Sequence, residues 1–294
     1  MKTKTKTDES ENSNHKKKLL LALFSSALIL VSVLIGTYFL LHSVSSVPPR
    51  AAIIDQVSSS QLSESSRHVN QTFIQVMKTL LHKRFSEVDY YSNNATVDQY
   101  QLLPSRGYKL IIWRAHSALN NQSKFVAICS SEKYDSKKYD QYTSEQLTLC
   151  NITYDPQLYF AITPTFVKEC MNGRFEDTVI VLMSCNGLKE GYYSTAEAFL
   201  EKGVKAFMSW DGWITFQDND DAMPNLLRYL IDENNTIREA VNKIPTYTSE
   251  FGSSTLNSYP YDADDYRIPD YRQIKTAIIP TSMVITARRK TGTR

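Results

Sequence analysis

An uncharged run near the N-terminus restricts this chain more than any other feature. Residues 19–41, LLLALFSSALILVSVLIGTYFLL, contain no charged side chain. At about 1.5 Å of rise per residue, a helix of this length crosses a hydrocarbon core about 30 Å thick. A cleavable signal peptide has a shorter apolar core of roughly 7–15 residues, and no small-residue cleavage site follows this run. The sequence therefore predicts one uncleaved transmembrane helix.

Basic residues before the predicted helix set its orientation. Six lysines occur within residues 1–18, whereas the first basic residue after the helix is Arg50. Because positive charge is retained in the cytoplasm, residues 1–18 are predicted to form a cytoplasmic tail and the main domain to lie outside the cell membrane. Glycosylation motifs of the form Asn-x-Ser/Thr fall on the predicted outer side. They begin at Asn70, Asn94, Asn121, Asn151 and Asn234.

Charge and cysteine content narrow the possible partners and scaffolds. Beyond residue 42 the chain carries 27 lysines and arginines against 28 aspartates and glutamates. This balance gives no electrostatic reason to expect a nucleic-acid partner. Four cysteines are too few for a disulfide scaffold. Two interpretations of Cys129, Cys150 and Cys170 stay open: one pair forms a disulfide, or all three are buried free thiols.

Apolar runs of strand length alternate with helical patterns after a short linker, residues 42–50. The predicted strands are AAIIDQV, EVDYYS, YKLIIW, KFVAIC, LYFAIT, TVIVLM and VKAFMSW. The predicted helices are residues 69–83, TPTFVKECMNG, STAEAFLEKG, roughly 221–232, and 236–244. This alternation, with strands apolar on both faces, predicts an α/β domain over residues 51–245, a three-layer sandwich with a mainly parallel sheet between helices.

Helix ends and the C-terminal region complete the predicted organisation. Capping boxes are expected where Ser194 precedes Glu197 and where Thr236 precedes Glu239, because each pair satisfies two free backbone N–H groups. Residues 246–294 form an extension rich in tyrosine, serine and proline. Within this extension only TAIIPTSMVIT is predicted to add a strand.

Two apolar strands end close to reactive side chains. His116 follows YKLIIW by three residues, and Cys185 follows TVIVLM by two. The carboxyl ends of parallel strands meet at one edge of a sheet, where ligands bind. If the two strands are neighbours, the imidazole and the thiol face each other there.

The chemistry of these residue types suits nucleophilic catalysis. A thiol is a weak nucleophile until a nearby base removes its proton, and an imidazole then protonates a leaving amine. Gly187 is expected to let the turn after Cys185 fold back tightly and aim backbone N–H groups at an oxyanion. The alternatives are a cysteine that serves as a small apolar side chain in the core and a histidine with a surface or capping role.

The motifs RAHS and SCNG resemble those of caspase-like cysteine peptidases, the clan of caspases, gingipains, clostripain, legumain and CHAT-type domains. In that clan one strand ends in His-Gly and a later one in Ala/Ser-Cys followed by glycine. The segment STAEAFLEKGVKAFMSWDGW resembles the helix, turn, strand and tryptophan that follow the cysteine. The resemblance covers roughly residues 51–245. It implies a caspase-haemoglobinase fold and hydrolysis of polypeptides.

The resemblance also implies a role for each residue of the site. Cys185 would be the nucleophile and His116 the proton shuttle, with the backbone N–H groups of Ser117 and Cys185 as oxyanion donors. Ser117 stands where the family has a glycine. No metal and no organic cofactor is expected. In several clan members an acidic residue in the primary pocket binds arginine or lysine of the substrate. This makes Asp211, with the neighbouring Trp210, a candidate substrate-binding residue, and a turn or capping role is the alternative for Asp211.

Two further interpretations remain from the sequence. Asp218, Asp220 and Asp221 could bind a hard cation, or they could be an acidic helix start. The whole domain could be a catalytically inactive surface module whose tyrosine-rich C-terminal part binds a partner. A nucleotide-binding protein is disfavoured because no glycine-rich phosphate loop follows a predicted strand.

Overall fold

The computed structural model describes residues 25–26, 28–33, 49–153 and 155–272. The chain divides into two units, residues 1–47 and 48–294. In the first unit the described residues are helical and exposed. Across the described ranges, no helix is long and apolar enough to cross a membrane. The tail 1–18, most of the predicted span 19–41, the linker up to residue 48 and the strand predicted in TAIIPTSMVIT lie outside the described residues.

The second unit contains the strands and helices of an α/β domain. Its strands are β1 (Arg50–Asp55), β2 (Glu87–Tyr91), β3 (Tyr108–Arg114), β4 (Ser117–Asn120), β5 (Phe125–Lys133), β6 (Leu147–Asn151), β7 (Leu158–Ile162), β8 (Thr178–Met183), β9 (Val204–Trp210), β10 (Tyr247–Ser249), β11 (Gly252–Ser254) and β12 (Leu256–Tyr259). Its α-helices are α1 (Gln71–Leu81), α2 (Val97–Leu102), α3 (Ser194–Glu201), α4 (Phe216–Leu227) and α5 (Ile237–Asn242). Short 3-10 turns cover Gln56–Ser58, Leu103–Arg106 and Tyr261–Ala263, and π-helical turns cover Phe166–Cys170 and Arg228–Asp232.

A central sheet of six strands in the order β12-β9-β8-β3-β1-β2 forms the middle of the domain. All neighbours are parallel except β12, which runs antiparallel to β9. The predicted α/β class with a mainly parallel sheet is confirmed. Its inner strands are buried along almost their whole length because both faces are covered.

Alternate side chains of the central strands enter two separate apolar cores. In β8, Val179 and Val181 point to the face covered by α1, α4 and α5. Ile180 and Leu182 point to the opposite face, where they join side chains of α2 and α3. The period of two along each strand therefore divides the burial between the faces. The strand ends, rather than the strand faces, are left to build a site.

A second sheet, in the order β4-β5-β7-β6, lies beside the carboxyl end of β3 and is antiparallel throughout. The strands predicted at KFVAIC and LYFAIT belong to this sheet and not to the central one. A disulfide joins Cys129 of β5 to Cys150 of β6, whereas Cys170 and Cys185 are free. Of the two open interpretations, the one in which a pair of these cysteines forms a disulfide is therefore confirmed.

Two local expectations differ from the structure and one is confirmed. Ser194 does not cap α3: its hydroxyl donates to the carbonyl of Lys124, and the helix starts after Tyr193 without a side-chain cap. Thr236 and Glu239 do form the predicted capping box at α5. The domain also extends past residue 245, because β12 pairs with β9 and closes that edge of the central sheet.

Candidate active site

The ends of β3 and β8 meet at one edge of the central sheet. Arg114, the last residue of β3, lies opposite Met183, the last residue of β8, and the Ala115 N–H donates to the Met183 carbonyl at 3.3 Å. His116 and Cys185 each follow two residues later. Both line a single cavity of about 660 Å³.

Several parts of the chain line this cavity. They include the turns after β3 and β8, strand β4, the end of β6, and residues 213–216 up to the first residue of α4. The second sheet therefore contributes to the site beside the strand ends. The lining residues are Ser65, Ala115, His116, Ser117, Ala118, Leu119, Leu149, Asn151, Ile152, Thr153, Met183, Ser184, Cys185, Asn186, Trp213, Ile214, Thr215, Phe216 and Asn219.

Three contacts hold His116 in one orientation. Its backbone N–H donates to Oε1 of the buried Gln56 at 2.9 Å, and its ring Nε2 lies 2.9 Å from the Ser66 carbonyl oxygen. The edge of the ring meets Phe216, with 5.3 Å between centroids. Because a carbonyl oxygen can only accept, Nε2 carries the proton, and Nδ1 of the neutral ring keeps its lone pair.

The surroundings keep this imidazole neutral. Burial lowers the pKa of His116 below its ordinary value, and the positive charge of Arg114 acts in the same direction. The hydrogen bond to Ser66 and the charge of Asp155 oppose these effects without cancelling them. A neutral imidazole with a free Nδ1 is a proton acceptor.

The thiol of Cys185 is also neutral at rest. Burial raises its pKa, and backbone hydrogen bonds at Ile214 and at Cys185 itself oppose that shift only in part. The Sγ lies 3.5 Å from the Ile214 carbonyl oxygen, to which the thiol donates. The cavity therefore holds a neutral thiol and a neutral imidazole, and neither resting group forms a thiolate–imidazolium ion pair.

The tight turn after Cys185 was expected to need the backbone freedom of Gly187, and the structure shows otherwise. Asn186, and not Gly187, has the left-handed backbone conformation, with φ of 59°. Gly187 is needed for packing: a Cβ atom there would lie 2.0 Å from Oγ of Ser209 on β9. The Ser117 hydroxyl donates to the Cys185 carbonyl at 2.5 Å and so links the two strand-end turns.

A buried ion-pair network behind His116 was missed by the sequence interpretation. The Arg114 guanidinium donates to Asp55 at 2.8 Å and, through two nitrogens, to Asp220 at 2.8 Å each. All three side chains are at most 2 % exposed. The partners are 59 and 106 residues away in the chain, so no local pattern could have joined them.

A second missed cluster fixes the carbonyl that accepts from His116. Asp155 accepts hydrogen bonds from the hydroxyls of Ser66, Ser63 and Tyr159 at 2.5, 2.7 and 2.9 Å. Burial opposes ionisation, but these bonds together with the Gln157 N–H lower the Asp155 pKa to about 2. The loop that carries Ser66 is therefore anchored to a permanent charge at neutral pH.

The structure does not bring Trp210 and Asp211 to the cavity. Trp210 is 0 % exposed, packs in the core and donates from Nε1 to Asn219. The Asp211 carboxylate accepts from the Thr255 N–H at 2.8 Å and from the Asn257 amide at 3.1 Å. The alternative of a turn-stabilising acid accounts for Asp211, and the predicted substrate role of both residues is corrected.

The acidic start of α4 does not form a cation site. Asp220 is paired with Arg114, Asp218 takes part in the Thr215 cap, and Asp221 accepts from Gln217. Among the described residues, no group of three or more histidine, cysteine, aspartate or glutamate side chains is arranged to hold a metal ion. The three aspartates are therefore explained as the acidic first half of helix α4 rather than as a cation site.

Comparison with known proteins adds no relative. A scan against protein-family models and a search of curated protein sequences both give no match. The resemblance to caspase-like peptidases therefore stays a prediction from motifs, and the function has to be inferred from the residues around the cavity.

Proposed function

We propose that this protein is a cysteine endopeptidase of the caspase and gingipain type. Residues 19–41 would anchor it in the cell membrane and the domain would act on polypeptides on the extracytoplasmic side. The observation that carries the proposal is one free thiol and one imidazole in a single cavity, each two residues beyond neighbouring parallel strands. The central sheet with helices on both faces is compatible with the three-layer caspase-haemoglobinase fold.

The first step of the proposed reaction is attack by sulfur. Nδ1 of His116 takes the proton of the Cys185 thiol while the sulfur forms a bond to the carbonyl carbon of the scissile peptide. The Ser66 carbonyl keeps the other ring nitrogen protonated, so the free lone pair stays on Nδ1. Positive charge that develops on the ring lies 2.9 Å from that carbonyl oxygen and within the field of Asp155.

The negative charge of the tetrahedral intermediate requires donors. The backbone N–H groups of Ser117 and Cys185 are the proposed donors, since both residues line the cavity close to the ends of β3 and β8. The bond from the Ser117 hydroxyl to the Cys185 carbonyl holds the two residues together. Serine thus replaces the glycine of the family while it adds a link that glycine lacks.

Collapse of the intermediate releases the first product. The bond between carbon and nitrogen breaks, the protonated His116 gives its proton to the leaving amine, and a thioester remains on Cys185. Water then attacks the thioester with His116 as base, the carbon–sulfur bond breaks, and the proton returns to the thiol. This cycle regenerates the enzyme without a cofactor.

The test uses two cysteine variants of the full-length protein in detergent micelles. Cys185→Ala should abolish cleavage of a fluorescently labelled unfolded protein and leave the thermal midpoint nearly unchanged. Cys170→Ala is the matched control, because Cys170 is the other free thiol and lies outside the cavity lining. Proteolysis that persists in Cys185→Ala would remove this thiol from the mechanism.

A second candidate is a catalytically inactive surface module. The raised pKa of the Cys185 thiol and its bond to Ile214 favour it, as do the exposed aromatic side chains of Trp213, Phe251 and Tyr261. Iodoacetamide separates the two candidates at neutral pH. Labelling of Cys185 that depends on His116 supports the peptidase, whereas a thiol that stays unreactive supports the binding role.

A further inference from the structure

We infer that this site accepts peptides with an uncharged, apolar or aromatic side chain next to the bond that is cut. The inference rests on the proposed function and concerns the substrate class of the same cavity. It differs from the expectation of a basic side chain held by Asp211, because that carboxylate is bound to Thr255 and Asn257.

The described cavity lining carries no aspartate, glutamate, lysine or arginine side chain. Three buried carboxylates that connect to the site through Arg114 and Ser66 already have partners. Asp55 and Asp220 are paired with Arg114, and Asp155 accepts from three hydroxyls. A charged side chain of a substrate would lose its hydration in the cavity without meeting an opposite charge, which is strongly unfavourable.

Large, partly exposed apolar side chains of the lining supply the alternative contact. Leu149 on β6 is 44 % exposed and Trp213 before α4 is 46 % exposed, and both line the cavity. Trp213 packs against Phe251, which is 62 % exposed, with 5.4 Å between the ring centroids. Apolar surface of this size is covered favourably by an apolar or aromatic side chain.

One polar group of the lining is also without a partner. Asn186 lines the cavity beside Cys185 and is 4 % exposed, and its Oδ1 has no hydrogen-bond partner within the described part of the chain. This oxygen is itself buried, so a peptide N–H reaches it only if the amide turns toward the cavity. The inference therefore rests on the uncharged lining and its apolar side chains.

Three peptidyl acyloxymethyl ketones test this inference on the full-length protein in detergent. They are identical except for the residue before the ketone, which is phenylalanine, arginine or aspartate. The Cys185 thiol gives its proton to His116, and its sulfur bonds to the methylene carbon while the carboxylate leaves. Because Cys170 is also free, intact-mass measurement on the Cys170→Ala variant gives the labelling rate of Cys185. The phenylalanine compound should react at least about tenfold faster than the other two, which corresponds to the cost of leaving a charge unpaired.

A matched pair of variants places a charge inside and outside the cavity. Leu149→Asp puts a carboxylate on the cavity wall, whereas Leu158→Asp puts one on β7 at a leucine that is 40 % exposed and outside the lining. Leu149→Asp should raise the rate of the arginine compound relative to the phenylalanine compound by about tenfold. Leu158→Asp should leave that ratio unchanged.

The outcomes separate this inference from the proposed function. Equal or faster labelling by the arginine or aspartate compound overturns the inference and leaves the peptidase standing, as does an unchanged ratio in Leu149→Asp. Absence of labelling by all three compounds and by iodoacetamide overturns both. Labelling by iodoacetamide alone also overturns both, because a peptide then does not reach the thiol.

Discussion

At the scale of single residues, the surroundings of His116 and Cys185 determine whether each side chain is protonated. His116 keeps a neutral ring because it is partly enclosed and close to Arg114, and Cys185 keeps its proton because burial disfavours the thiolate. The Ser66 carbonyl then selects the ring nitrogen that stays free. Both members of the proposed pair are therefore neutral at rest, as the proposed proton transfer from the Cys185 thiol to the His116 imidazole requires, and they do not form a stable ion pair.

The pH dependence of cleavage should reflect these two neutral groups. Because the His116 pKa is lowered, the ring loses its proton below the ordinary histidine value of about 6.5, and kcat/KM should reach its plateau by about that pH. Because the Cys185 pKa is raised above the ordinary thiol value, no fall in activity from this pair is expected up to about pH 9. A bell-shaped profile centred near pH 7 would contradict the neutral pair.

Gly187 illustrates a residue whose role is purely steric. Gly187→Ala should destabilise the fold by about 1–3 kcal/mol, because the new methyl group would overlap the Ser209 side chain. Urea unfolding of a double-mutant cycle with Ser209→Gly measures the effect. In the Ser209→Gly background the alanine should cost less, and an equal cost in both backgrounds would refute the overlap.

At the scale of secondary-structure elements, the buried ion pairs connect the parts that carry the site. Arg114 ends β3, Asp55 ends β1 and Asp220 lies in α4, so one guanidinium joins two strand ends to a helix. Phe216, which meets the ring of His116, begins the same helix. The position of the imidazole therefore depends on the pairing of α4 with β3.

Removal of one partner should show this dependence. Asp220→Asn keeps the shape but leaves Arg114 with one counter-charge, and we expect a loss of about 3 kcal/mol in the free energy of unfolding. Asp221→Asn is the matched control, because this neighbour is exposed and its carboxylate accepts from the Gln217 amide. Equal urea midpoints for the two variants would show that the network contributes little.

At the scale of the whole molecule, glycosylation can test on which side of the membrane the domain lies. Asn94 and Asn121 are exposed, and the Asn121 side chain uses its oxygen, not the amide nitrogen that would carry a glycan, to accept from the Tyr192 hydroxyl at 2.7 Å. Asn70 is different, because its amide donates to Asp220 while its oxygen accepts from the N–H of Phe73 at the start of α1. The motif at Asn70 is thus used for helix capping.

Expression in a eukaryotic secretory system tests the orientation. The full-length protein should carry glycans at Asn94 and Asn121 and none at Asn70, as measured by peptide mass spectrometry after endoglycosidase treatment. Asn94→Gln and Asn121→Gln should each remove one modification. A protein without any glycan at either exposed position would contradict the predicted outer location of the domain.

Local pattern was sufficient for much of the fold. The apolar runs predicted β1, β3, β8 and β9 of the central sheet, since a strand buried on both faces must be continuously apolar. They also predicted β5 and β7, which lie in the second sheet, whereas β2 was predicted from the mixed segment EVDYYS and is only partly buried. The predicted helix over residues 69–83 matches α1 because side chains at helical spacing cover one face. The position of His116 and Cys185 at one edge also follows from strand ends, once the strands are parallel neighbours.

What the sequence determined is therefore most strands of the central sheet, several of the helices and the two reactive residues at strand ends, because these depend on short-range periodicity. Only the tertiary structure decided what surrounds them: the second sheet, the disulfide between Cys129 and Cys150, and the contacts of Arg114 and Asp155. The structure also places Asp211 outside the cavity lining, and the described lining contains no aspartate, glutamate, lysine or arginine. These features arise from contacts between residues far apart in the chain, and such contacts leave no local pattern.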